Sequence, residues 1–439
     1  MKFSKFISAL AMGLILVSCS SSDRGVLTGV ERRPVPDVPK PYGMAFIPGG
    51  SFQMGIQGHD ILSRKTSPEM TSSVTAFYMD ETEITNNEYR QFVVWTRDSL
   101  IHVVLEDNGN NAGANQYMKE NPITGKMEVN WEEGEVDFRE MYLEAKESPD
   151  LATADDTDFG RLKGTVLTND GKIDINFVQF AYSEFDIVNA AYGQKDPDRL
   201  QNLYRDTSIA VYPDTLCIIR DFEYSYNEPF ARRYFSHPAY DEYPVVGVTW
   251  DQANAFCAWR TQYSVNYTTE INKPREIDNY RLPSESEWEY AAQGGNDKPD
   301  YPWGGPYLRN SKGCLLANFK PNRGVYHNDG MTYPAPVESY WANNYGLYCM
   351  AGNVAEWTLT QYQEGSFAFY HDLNPSYRRD YDYNSGEDRT RNRKVVKGGS
   401  WSDMAYFLQT GTRSWEYANE PRSFIGFRCV TSVMGEGIE

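Results

Sequence analysis

The chain begins with two charged residues, Lys2 and Lys5, followed by a mostly apolar run over residues 6–17. About a dozen apolar residues is too short to span a bilayer as a helix, so the run reads as the core of an export signal. Pro34, Pro36, Pro39 and Pro41 then alternate with other residues and favour extended, polyproline-like backbone. Globular patterning starts near Tyr42. Residues 44–55 alternate around Gly49-Gly50, which predicts a strand, a tight turn and a second strand. Residues 74–80 predict another strand. Thr85 and Glu88 have capping-box spacing ahead of Tyr89, Phe92, Val93 and Trp95, the start of a helix. Trp250 leads into a second helix with Ala255, Phe256, Ala258 and Trp259 apolar. Ser284 and Glu287 form the start signal of a third. Between 101 and 235 the pattern weakens around 108–114 and 148–158 but contains an aromatic stretch at 177–182, which reads as a long, partly ordered insertion. The remainder is turn-rich and dense in Trp and Gly. It has few long periodic runs.

Composition narrows the function classes. The 439 residues hold 42 Lys+Arg against 61 Asp+Glu, a formal charge of −19. A field of that sign argues against gripping nucleic acid or binding a membrane surface through a polybasic patch. The excess is local, since residues 101–235 carry 26 acids against 13 bases. Aromatics make up 14%, enough to bury a large core. The apolar run ends Leu16-Val17-Ser18-Cys19, which matches a lipobox. On that reading residues 1–18 are a lipoprotein signal peptide, the Cys19 thiol is lipidated, and 19–41 is a Pro-rich tether. The alternative is an ordinary secretory signal with an incidental Cys. Arg24, Arg32, Arg33 and Lys40 in the tether suit anionic lipid or an acidic partner, unless the segment is a solvated spacer. An exported chain meets an oxidising compartment. Five further cysteines remain, at 217, 257, 314, 349 and 429, and an odd count leaves at least one thiol free. The five histidines are scattered, and no CxxC, HExxH, GxGxxG, P-loop or GxSxG is present.

Several segments together resemble the formylglycine-generating-enzyme/sulfatase-modifying-factor family. They are residues 47–55, residues 80–86 with Tyr89 and Phe92, and residues 244–250. Arg281-Leu282-Pro283-Ser284-Glu285-Ser286-Glu287-Trp288-Glu289-Tyr290 follows, with Tyr301-Pro302-Trp303-Gly304. Then come residues 345–357, which end Gly352-Asn353-Val354-Ala355-Glu356-Trp357, and finally Lys397-Gly398-Gly399-Ser400-Trp401 and Gly426-Phe427-Arg428-Cys429. Their order is the family's order. The resemblance implies a C-type-lectin-like α+β fold over residues 42–435, interrupted by the 101–235 insertion. Within the family the chain is similar to the GldK/PorK-type lipoproteins of gliding motility and type IX secretion. That branch implies an outer-membrane lipoprotein on the periplasmic face, pairing with a GldN/PorN-type protein in a large homo- and hetero-oligomeric ring.

The resemblance also bears on chemistry. Family oxidases hold copper with a pair of cysteines between the segments that here are Gly399-Ser400 and Gly426-Phe427-Arg428. The interval 401–425 contains no Cys. Soft Cu(I) needs thiolates, and Leu408, Thr410 and their neighbours supply none. The expectation is therefore a non-enzymatic structural lipoprotein with no required cofactor. The alternatives are a residual formylglycine-type or other metal-dependent oxidase, and a surface glycan-binding lipoprotein. Structural calcium is the one bound ion the family implies. One set maps to Asn318, the Phe319 carbonyl, Asp329 and the Met331 carbonyl. A second maps to position 349, the Gly352 and Val354 carbonyls and Glu356, with soft Cys349 in place of the usual oxygen ligand. The rival reading is that Asp329 and Glu356 bond backbone N–H groups in turns. The family also implies a Cys257–Cys429 disulfide, against two buried free thiols. Cys217, Cys314 and Cys349 read as packed thiols. Glu285, Glu287 and Glu289 fall on different helix faces at a spacing of two, so capping and surface roles are expected.

Overall fold

A computed structural model describes residues 40–56, 67–108, 118–120, 127–129, 162, 166, 174–185, 204–222, 229–270, 278–321, 331, 333–378 and 389–433. The signal segment, Cys19 and most of the tether lie outside the described residues. The N-terminal strands are β1 (Met44–Ile47), β2 (Gly50–Met54), β3 (Met70–Val74) and β4 (Phe77–Asp80). They differ from the predicted hairpin. β1 pairs antiparallel with β4, and β2 pairs antiparallel with β3. The predicted strand over 74–80 breaks at Thr75-Ala76. Its two parts join different partners, so Gly49-Gly50 becomes a crossing point between sheets and not a hairpin turn. Gly49 sits against the Ala76 backbone, where a Cβ would lie 2.9 Å from its nitrogen.

Helix α1 (Asn86–Asn108) starts at the predicted capping box. The Thr85 N–H donates to Glu88 Oε2 at 2.8 Å, and the Glu88 N–H donates to Thr85 Oγ1 at 3.2 Å. Next along the chain are β5 (Met118–Glu120), β6 (Met127–Val129), β7 (Gln179–Phe185), β8 (Tyr204–Ala210), α2 (Cys217–Asp221), α3 (Pro229–Arg233) and α4 (Trp250–Glu270). α4 carries a capping box of its own, between Thr249 and Gln252. α5 (Glu285–Gln293) has the predicted Ser284/Glu287 box and ends at Gly294 in the left-handed conformation. The C-terminal half adds β9 (Ala355–Gln361), β10 (Arg393–Lys397), β11 (Ser414–Tyr417), β12 (Ile425–Gly426) and β13 (Val430–Ser432). They form a four-stranded sheet in the order β11-β10-β9-β12, while β13 adds to β1 and β4.

The main core is aromatic. Tyr89 of α1 stacks on Phe256 of α4 at 5.7 Å, and Phe92, Trp259 and Phe427 close around them. Some of the described residues of 101–235 are built into this core. α1 continues through residue 101 to Asn108. Val178, Phe180, Val211 and Phe235 are buried in the same cluster. The Tyr89 hydroxyl donates to the Val211 carbonyl at 2.9 Å, and Gln252 Nε2 donates to the carbonyls of Ala210 and Tyr212. The apolar face of the β7–β8 hairpin explains the docking. Phe180 packs against Phe92 and Trp95 of α1, and burying one large side chain is worth about 1.5–3 kcal/mol.

Candidate functional site

α5 lies between the β2–β3 hairpin and the β9–β10 sheet, and its carboxylates are the first surprise. Glu287 caps, as expected, and takes a bidentate pair from Arg281 at 2.6 and 2.7 Å. Burial opposes its ionisation, but Arg281 and the Ser284 N–H outweigh that and hold the carboxyl below its usual range. Glu285 and Glu289 are not surface groups. Four residues apart, they share one helix face and are fully buried. Glu289 meets Lys397 Nζ at 2.8 Å and accepts the Gly55 N–H at 2.7 Å; Glu285 meets Arg413 at 2.7 Å. These are internal ion pairs that tie α5 to β10 and to the loop before β11.

The helix also presents Trp288, whose Nε1–H donates to Glu356 Oε2 at 2.7 Å. Arg428 holds the same carboxylate through Nε and Nη2 at 2.7–3.0 Å, with both side chains buried. Glu356 is thus an ion-pair anchor, and its oxygens are engaged by cation and indole and not by turn N–H groups. Each of its oxygens already accepts two donors, which makes Glu356 a poor member of the second calcium set. Gly352, Val354 and Cys349 are adjacent, but the Cys349 thiol donates to the Val337 carbonyl at 3.3 Å, and burial raises it well above its ordinary value. In the first set Asn318 is buried and its Nδ2 donates to the Tyr333 carbonyl at 2.9 Å. Phe319 is buried and Met331 exposed, while Asp329 lies outside the described residues. Among the described residues no group of three or more His, Cys, Asp or Glu is placed to hold a metal ion.

Glu83, absent from the sequence-based site list, completes this network. It accepts from Asn353 Nδ2 at 2.7 Å and from the Val354 N–H at 3.1 Å. Burial, reinforced by repulsion from Glu356, pushes its carboxyl well above 4.5, against the pull of Arg428. The folded chain therefore keeps a proton that the unfolded chain releases. Its stabilising contribution is complete below about pH 4.5 and is lost as pH rises through the raised folded value. Glu83→Gln, a neutral isostere, removes this dependence. In urea titrations between pH 5 and 8 the variant gains on the wild type by up to about 1.4 kcal/mol per pH unit. A pH-independent difference would exclude a protonated Glu83.

The segment where the family's copper thiolates would fall is filled by a closed turn. Asp403 accepts from the Ser400 N–H and hydroxyl at 2.9 and 2.6 Å. Leu408 is fully buried with Tyr301, Ala317, Phe319 and Ala351. The Thr410 hydroxyl donates to the Pro299 carbonyl at 2.8 Å. The donor set here is an aliphatic side chain and a hydroxyl already used in packing. It does not fit Cu(I).

The structure does bring Cys257 and Cys429 together. Their buried sulfurs lie 3.3 Å apart, joining α4 to the start of β13 across 172 residues. Cys217 is buried and pushed up to about 12 by that burial, and Cys349 is also packed, but Cys314 is exposed, contrary to expectation. The loop around it is held by Arg309 and Asn310, whose side chains bond the backbone of Lys312, Gly313 and Cys314. Protein prepared under oxidising conditions should carry one disulfide, at 257–429, and lose about 2–4 kcal/mol on reduction. Peptide mapping without reductant checks it; two alkylatable thiols at these positions would refute the bond.

These features define an α+β domain whose centre is a set of buried ion pairs and whose family metal position is filled by packing. The sequence matches the sulfatase-modifying factor enzyme 1-like domain over residues 30–149 and 167–433, and the chain belongs to that family. It is 31% identical over 198 residues to the inactive C-alpha-formylglycine-generating enzyme 2 of Bos taurus, covering 44% of this chain and 51% of the relative. It is 31% identical over 193 residues to the formylglycine-generating enzyme of Mus musculus, covering 43% and 44%. The chain thus spans about half the length of the curated relatives it matches. Among solved structures, PvdO from Pseudomonas aeruginosa aligns over 89% of this chain and 94% of its own, with TM-score 0.44 and 16% identity.

Proposed function

We propose that this chain is a non-catalytic structural lipoprotein of the sulfatase-modifying-factor family. It is anchored through Cys19 to the periplasmic face of the outer membrane and acts in gliding motility and type IX secretion. Its partner is a GldN/PorN-type protein in a ring assembly. The observation that carries the non-catalytic part is the filled segment at Leu408 and Thr410, where no thiolate is present. The existence of relatives named inactive is consistent with it. The lipobox and the resemblance to the GldK/PorK branch support the remainder. Structural calcium at Asn318, Phe319, Asp329 and Met331 belongs to the same proposal, and calorimetric titration of the chelated chain showing no binding would remove it.

The acidic stretch 101–235 supplies the partner contact on this reading. Deleting it whole would remove Phe180, Val211 and Phe235 from the core, so loss of binding would only report misfolding. Exposed Phe185 and Tyr204, whose rings meet at 5.8 Å near the hairpin end, are better targets. Affinity purification from detergent-solubilised membranes, followed by negative-stain microscopy, should show ring particles containing a second protein. Phe185→Ser/Tyr204→Ser should lose that protein while keeping the fold. A lone monomeric chain from wild-type membranes would overturn the assembly reading.

A further inference from the structure

We propose that an aromatic face comprising Trp303, Tyr307 and Trp341 rests in the headgroup region of the bilayer that carries the lipid anchor. The inference rests on the reading of Cys19 as lipidated and goes beyond it, since an anchor alone does not fix which face meets the membrane. Trp341 is 77% exposed and Tyr307 is 76% exposed, among the most exposed aromatics of the described residues. Trp303 and Trp341 line one cleft with Pro302, Leu316 and Leu347. The Trp303 Nε1–H donates to the Tyr307 backbone carbonyl at 2.8 Å, which holds the exposed Tyr307 segment beside Trp303. Large exposed aromatic patches mark contact surfaces. Trp and Tyr are the side chains enriched at the membrane–water boundary, where a ring meets acyl chains and a polar tip stays wet.

Two further observations select lipid as the occupant. The first is the place where the chain joins the folded body. Lys40 Nζ pairs with Glu81 at 3.2 Å, the Glu81 N–H donates to the Gly43 carbonyl, and the Glu81 carbonyl accepts the Tyr348 N–H at 2.8 Å. Leu347, the next residue, lines the cleft beside Trp341. The tether thus meets the body next to this face, where Tyr42 is fully exposed. The second is charge. Residues 301–321 contain Arg309, Lys312 and Lys320, all exposed, and no acid; residues 333–348 add one acid, Glu338. In a chain of net charge −19 these two segments carry three bases against one acid. An anionic leaflet repels the acidic remainder and attracts the basic residues of these segments. From Cys19 to Lys40 the tether reaches at most about 70 Å, so it tolerates many orientations. Tethering also raises the local concentration at the bilayer, and weak surface contacts then suffice to orient the body.

The test uses the full lipidated chain in phosphatidylethanolamine–phosphatidylglycerol vesicles containing phospholipid brominated near the headgroup. The expected result is quenching of tryptophan fluorescence that falls by about half in Trp341→Ser, where Trp303 remains, and about twofold in Tyr307→Ser/Lys312→Glu, which retains Trp341 as the probe. Circular dichroism should be unchanged in both. Membrane retention of the wild type and release of Cys19→Ser are measured in parallel. A wild type that washes off refutes the anchor itself. A retained wild type with no Trp341-dependent quenching leaves the anchor standing and overturns the inference. Trp341 shielded from acrylamide in native membranes yet unquenched by brominated lipid assigns the face to a protein partner and overturns it equally.

Discussion

Arg428→Met should lower the stability of the folded body by about 3–5 kcal/mol, read as a fall in the urea unfolding midpoint. Arg428 and Glu356 are both buried, with contacts as short as 2.7 Å. Removing the guanidinium leaves Glu356 ionised in a region where desolvation is costly, with only the Trp288 indole to oppose it. Three backbone carbonyls lose a donor as well, since Arg428 also bonds the carbonyls of Asp80, Glu81 and Tyr348. The size of the effect is therefore set by the abandoned charge and not by the loss of an attraction. That distinction is testable. Glu356→Leu added to Arg428→Met should recover part of the loss, because an apolar pair of similar volume often matches a buried ion pair. A double variant as unstable as the two single losses combined would show that shape, not charge, dominates.

Gly352→Ala should cost about 4 kcal/mol, from a single methyl group. Gly352 has φ +76°, and a Cβ there would lie 2.3 Å from the Asn318 carbonyl oxygen. That oxygen cannot retreat, because it accepts the Asn353 N–H at 2.8 Å. The left-handed conformation alone accounts for about 1–2 kcal/mol. The rest comes from moving Asn353, which supplies Glu83 with its amide donor. Gly346→Ala is the matched comparison. Its φ is +82°, but nothing lies within 4 Å of a Cβ at that position, so only the backbone cost of about 1–2 kcal/mol applies. Equal losses at 346 and 352 would refute the steric account.

Local rules read well from the sequence. The capping boxes at Thr85 and Ser284 need only residues three apart, and both formed. The Thr249/Gln252 box used the same signal and was overlooked. Pairing at a distance was not legible. Glu356–Arg428, Glu289–Lys397 and Glu83–Asn353 join residues 72, 108 and 270 positions apart. A carboxylate's identity does not reveal a partner that only the chain path brings near. The α5 glutamates show the limit clearly. Their spacing separates Glu287 from the other two, but it also places 285 and 289 on one face, and burial of that face depends on β10. Strand pairing failed similarly, because Thr75-Ala76 interrupts a run that looked continuous. At the lost metal site the sequence was most informative, since the absence of thiols over 401–425 needs no coordinates, and the structure adds what fills the space.

The central claim is that this chain keeps the family's frame without its oxidation chemistry. The most direct measurement incubates the full chain with copper, oxygen, a reductant and a cysteine-containing peptide, and follows the peptide by mass spectrometry and aldehyde labelling. The account predicts no formylglycine above the protein-free control at any copper loading. Copper-dependent turnover that survives Leu408→Ala and Thr410→Ala would contradict it.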